Sequence, residues 1–160
     1  MKKITYLAIS FIFLIYISAC AGYKPIFNSS SLPFEIVEHS IKGDKKSGSK
    51  IYSKLYRLFK TNSDSKKKGI NINIETSKEK NATVKNDGGK ILEYKIILKT
   101  NIILQNFLTK EIILNYNTTM FSSYKVQDLY SESLQKEKQV IDNLINNTYQ
   151  DLLIKISELK

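Results

Sequence analysis

A chain of 160 residues, 42% of them apolar, has room for one domain with one modest core. Its single histidine, His39, excludes a multi-histidine metal site, and its single cysteine, Cys20, excludes a disulfide within the chain, so packing alone must hold the core. The 25 Lys and Arg against 15 Asp and Glu leave a formal charge of +10, which favours anionic partners, although a chain this rich in Lys, Ile and Asn also fits plain compositional bias.

Lys2 and Lys3 precede an apolar run from Tyr6 to Ile17, the layout of a secretory signal peptide. The run is about half the roughly 20 residues that a bilayer-spanning helix needs. It ends in Ile17-Ser18-Ala19-Cys20, a small pair before a cysteine, which resembles the lipobox of bacterial lipoproteins. That resemblance implies a diacylglycerol on the Cys20 thiol, cleavage just before it and acylation of the new amine. Residues 1–19 are then a lipoprotein signal peptide, 20–33 a lipidated tether and 34–160 an α+β domain. The N-acyl diacylglycerol on Cys20 is the only non-protein group expected, with no cofactor and no metal. One acyl chain, at ~0.8 kcal/mol per buried CH₂, binds marginally; three are in practice permanent. The alternative is an ordinary signal peptide or signal anchor with a chance cysteine. Export removes nucleic acid from the expected partners.

In chain order, Pro25 and Pro33 stiffen the tether, and Phe34 to Glu38 alternates imperfectly, as a first strand would. Ile41 to Ser49 reads as a loop, with Ser49 capping a helix that starts at Lys50. In that helix Ile51, Leu55, Leu58 and Phe59 form one stripe, and Asn62 to Lys68 is a polar loop. Ile70, Ile72 and Ile74 alternate with polar residues as a half-buried strand. Lys78 to Lys90 reads as a polar connection with a turn at Asp87-Gly88-Gly89.

Two long apolar strands follow as a hairpin. Leu92, Tyr94, Ile96, Leu98, Thr100, Ile102 and Leu104 share one face of the first, and Ile112, Leu114, Tyr116, Thr118 and Met120 continue it after a break at Asn106 to Lys110. Ile97, Ile103 and Ile113 fall on the opposite face, which predicts a cover there, from a partner or from a second layer of the same chain. From about Asp128 the period becomes helical, with Ile141, Leu144, Ile145, Thr148, Leu152, Ile156 and Leu159 on one stripe and Asp128 or Ser131 as cap. The order predicts an α+β two-layer sandwich, a mixed four-stranded sheet packed against two helices.

The tail Cys20-Ala21-Gly22-Tyr23-Lys24-Pro25 resembles the start of LptE, the lipopolysaccharide-assembly lipoprotein, with Ala21 inserted between cysteine and glycine. Tyr94 opening an apolar strand, the Thr109-Lys110-Glu111 turn, Ser122-Ser123-Tyr124, Asp128 and the closing helix are similar to that family too. The resemblance implies an outer-membrane lipoprotein on the periplasmic side. Its partners would be the LptD β-barrel, which it helps fold and plugs, lipopolysaccharide, and the membrane lipid that takes the acyl anchor.

No catalytic residue is expected, since no Gly-rich phosphate loop or Gly-x-Ser-x-Gly elbow occurs and His39 reads as a surface or loop residue. For a glycolipid with several phosphates the candidate ligands are Lys66, Lys67, Lys68, Lys78, Lys80, Lys85 and Lys90, through charge-assisted hydrogen bonds. Two further readings stand beside this one. One is a lipid-anchored accessory scaffold of another outer-membrane protein assembly machine; the other is a carrier for an apolar ligand, which needs a deeper pocket than such short elements leave.

Overall fold

The β-branched alternation and the two helical stripes assemble as one helix-on-sheet unit in the computed structural model, which describes residues 34–60 and 67–159. The expected signal peptide, Cys20, the tether and Lys66 lie outside the described residues. The elements are β1 (Phe34–Gly43), α1 (Lys45–Lys60), β2 (Lys68–Lys85), β3 (Ile91–Asn106), β4 (Ile112–Lys125) and α2 (Tyr130–Ser157). The sheet order is β1-β2-β3-β4, with β1 parallel to β2 and the other neighbours antiparallel. This is the expected mixed four-stranded sheet with two helices.

Alternation decides which face is buried. Ile70, Ile72, Ile74, Ile96, Leu98, Ile102 and Leu104 point to the helix side and are at most 1% exposed. Ile51, Leu55 and Phe59 of α1 and Leu144, Ile145, Leu152 and Ile156 of α2 close over them. Each such side chain contributes about 1.5–3 kcal/mol on leaving water. Both predicted stripes therefore face the core, Leu58 and Ile141 being its half-buried margins.

Three sequence expectations need correction. The first helix starts at Lys45, not Lys50, and β1 runs to Gly43, so the predicted loop is a tight turn. Gly43 makes that turn possible: its φ is +76°, and a Cβ there would sit 2.0 Å from the Thr76 carbonyl oxygen. Asp44 then donates its N–H to the same oxygen at 2.7 Å and accepts the Ser47 hydroxyl at 2.7 Å. Second, Lys78 to Lys85 is strand rather than loop. The long β3 offers backbone partners as far as Lys85↔Ile91, and those ladder bonds override the polar side chains. Third, neither Asp128 nor Ser131 caps α2. Leu129 holds that position with no side-chain bond, and Ser133 Oγ instead accepts the Gln127 N–H at 2.8 Å. His39 lies on β1, its ring stacked on Tyr52 with centroids 3.9 Å apart.

Both helices cover the same face, so among the described residues no second layer covers the other. That open face carries Asn71, Asn73, Asn101, Asn115 and Asn117 between the half-buried Ile97 and Ile103. Lys99–Glu79 at 2.6 Å and Lys95 over the Phe121 ring at 3.9 Å complete it. The two outer strands differ: β1 carries Glu35, Glu38 and Lys42, whereas β4 has no charge between Ile112 and Tyr124.

Candidate functional site

The lysines picked out by the sequence do not converge. Lys68 and Lys85 stand at opposite ends of β2, roughly 56 Å apart at ~3.3 Å per residue. Lys67 spends its ammonium on the Phe59 carbonyl at 3.3 Å, closing the end of α1. Lys85 is exposed near the β2–β3 turn. Of the described candidates, Lys78, Lys80 and Lys90 line a concavity.

That concavity has two lobes along the first half of α2, sharing Leu134 and Glu137. The upper lobe, about 330 Å³, lies among Lys80, Lys90, Tyr94, Tyr124, Tyr130 and Glu137. The lower lobe, about 260 Å³, runs between α1 and α2 among Lys46, Lys50, Lys78, Lys138, Ile141 and Asp142. Strand alternation builds the upper lobe: Lys80, Tyr94 and Tyr124 all sit on the helix side where Leu98 and Thr76 are already buried, and Tyr94 pairs directly with Tyr124.

At the junction, Lys80 Nζ lies 2.6 Å from Glu137 Oε2 and 4.2 Å from the Tyr94 ring centroid, and the Tyr124 hydroxyl donates to the same carboxylate oxygen at 2.9 Å. Burial alone would raise the Glu137 pKa, but the bonds from Lys80 and Tyr124 outweigh it and hold the carboxyl below its usual 4.5. Burial pushes Lys80 the other way, and Glu137 and Tyr124 again prevail, so the ammonium stays charged beyond its usual range. Burial raises the Tyr124 hydroxyl. Lys78 is 3.6 Å from Asp44, whose carboxyl is lowered against the burial effect by Ser47 and Lys78.

Two of the predicted ligands are therefore already paired within the chain, and Lys80→Glu would set one carboxylate against another. The unforeseen members are Lys46, Lys50 and Lys138 in the lower lobe. Lys50 pairs with Asp142, which leaves Lys46 and Lys138 as the cations there with no carboxylate partner among the described residues. Lys46 and Lys50 share an i, i+4 face only because the helix starts at Lys45 rather than Lys50, whereas Lys138 and Asp142 stand at i, i+4 on the helix that the periodicity predicts. The lower lobe sets four lysines against two carboxylates over an apolar floor of Leu134, Ile141 and Ile145, a lining suited to an amphipathic anion. No group of three or more His, Cys, Asp and Glu among the described residues is arranged to hold a metal ion. No helix among them is long and apolar enough to cross a membrane.

No family model matches the sequence. No curated protein matches it either. Solved structures do. Rare lipoprotein B from Shewanella oneidensis superposes with a TM-score of 0.53 at 16% identity, over 76% of this chain and 95% of that one. The solution structure of an uncharacterized lipoprotein B from Nitrosomonas europaea gives 0.55 at 15% identity, over 82% and 88%. At such identities the likeness is one of fold.

Proposed function

We propose that the chain is a lipid-anchored envelope protein of the LptE type, acylated at Cys20, working with the LptD β-barrel at the outer membrane in lipopolysaccharide transport. The observation that carries this reading is the shared architecture: two helices on one face of a mixed sheet, common to solved lipoproteins over most of both chains. The lipobox-like Ile17-Ser18-Ala19-Cys20 supports the anchor. A one-faced sandwich also suits a plug, because its uncovered, carboxamide-rich sheet face offers hydrogen-bonding groups to a polar lumen. The basic lower lobe supports an anionic glycolipid ligand, met by Lys46 and Lys138 as point charges.

The deciding experiment is affinity capture through a tag after Lys160 from detergent-solubilised membranes. Recovery of one abundant large β-barrel bearing the LptD sequence is expected. Capture of a different assembly machine, or of the chain alone, overturns the partnership. For the ligand, Lys46→Glu with Lys138→Glu should weaken lipopolysaccharide binding several-fold with an unchanged melting temperature; undiminished binding removes the lower lobe from the account.

A further inference from the structure

The end of the sheet where the described chain begins has an apolar cap that the core does not use. Phe34 pairs with Lys68, and the Phe107 N–H bonds the Gly69 carbonyl at 2.9 Å, so the tether exit, the start of β2 and the β3–β4 turn share one end. Leu108 is 84% exposed at the tip of that turn, with Ile112 at 56% and Val37 at 48% behind it. Val37 is the extra residue of a bulge in β1, and it closes with Phe107 over Gly69, where an added Cβ would meet Val37 Cγ2 at 2.8 Å and Phe107 Cβ at 3.4 Å.

The turn is held rigidly. Asn106 Oδ1 accepts the N–H groups of Leu108 at 2.9 Å and Thr109 at 3.1 Å, and the Asn106 backbone bonds Lys110 and Glu111. Lys110 is the only non-glycine among the described residues with positive φ, 59°, a conformation costing of order 1 kcal/mol in a lysine. The turn thus accepts strain to hold a leucine out from the domain. Lys110 lies 4.8 Å from the Phe107 ring centroid, and the exposed Lys68 stands at the same end, with Glu35 and Glu111 as the nearby acids.

What would meet this cap follows from where the chain leads. Fourteen residue steps join Cys20 to Phe34, a span of at most about 50 Å. Given an acyl group at Cys20, on which this inference rests, lipid lies nearest this end. We propose that the β3–β4 turn is a second, non-covalent membrane contact: Leu108, with Phe107, Ile112 and Val37, enters the bilayer interface while Lys68 and Lys110 meet anionic head groups.

The chain has no tryptophan, so a single one reports position cleanly. Full-length Leu108→Trp and, at the opposite end of the sheet, Val84→Trp would be purified from membranes and reconstituted in phosphatidylglycerol-containing vesicles with brominated acyl chains. Quenching several-fold stronger at position 108 than at 84 is expected; equal quenching overturns the proposal. The mass of the Cys20 fragment from the same preparation tests the anchor separately. An unacylated Cys20 would sink that reading, and the comparison of the two tryptophans would still decide the contact.

Discussion

Gly48 lies in the interior of α1, and a residue exchange there sets two effects of opposite sign against each other. From helix propensity alone, Gly48→Ala should stabilise by ~1 kcal/mol. The structure predicts otherwise. A Cβ at Gly48 would lie 2.5 Å from Ile41 Cγ2 and 3.4 Å from Thr76 Oγ1, both against the core. Ile41 is β-branched and cannot swing that methyl away without leaving its rotamer well. Overpacking of this kind costs ~1–3 kcal/mol, so the net change is a loss of up to about 2 kcal/mol. Urea unfolding followed by far-ultraviolet circular dichroism reads it directly. The double variant Ile41→Ala/Gly48→Ala removes the clashing methyl, so the alanine at 48 should then recover its propensity gain, and the cycle should show coupling of 1 kcal/mol or more, a little above the usual scatter of additive pairs. A stabilised Gly48→Ala, or strictly additive costs, would refute the close approach of α1 to the sheet. The same approach places Lys46 and Lys50 in the lower lobe, so Gly48→Ala should also perturb ligand binding there.

Glu137→Gln should flatten the acid limb of stability. The folded carboxyl titrates below the unfolded one, so its contribution is present above the unfolded pKa, near 4.5, and is lost as pH falls through the folded value. Urea midpoints taken from pH 7 down to pH 3 should fall less in the variant. Tyr116→Phe removes the hydroxyl that donates to Asp151 at 2.8 Å between β4 and α2, and a loss of ~0.5–1.5 kcal/mol in urea melts is expected. Burial, reinforced by Asp151, holds that phenol near 12. Leu152→Ala, fully buried under the sheet, should cost ~2–5 kcal/mol and lower the melting temperature sharply.

Most of the layer structure was legible because it depends on local periodicity. Ile70, Ile72 and Ile74, or Leu144, Ile145, Thr148 and Leu152, declare their faces in the order of side chains alone. Boundaries were not legible where a distant backbone decides them. Lys78 to Lys85 carries few apolar residues, and only the ladder to β3 makes it a strand. Likewise Gly43 is a turn residue because Thr76, 33 positions away, needs its space. The cleft was half legible for the same reason. Lys80 and Glu137 lie 57 residues apart, and nothing local couples them. Of the three isoleucines the sequence set on the outer sheet face, Ile97 and Ile103 are half-buried there without a covering layer among the described residues, whereas a register shift at the start of β4 packs Ile113 against the core.

The bare margin of β4 has a consequence of its own. Along its outer edge β4 leaves the backbone donors and acceptors of about every second residue without a partner among the described residues, and with no charged side chain before Lys125 this edge is a template on which another strand can add. The charged margin at β1 is far less inviting. What holds neighbouring molecules apart is then mostly the surplus of ammonium groups over the whole surface, and dissolved electrolyte weakens that repulsion. Self-association should therefore rise with ionic strength and begin at β4, and any companion that lies along this margin would double as its guardian against fibre growth.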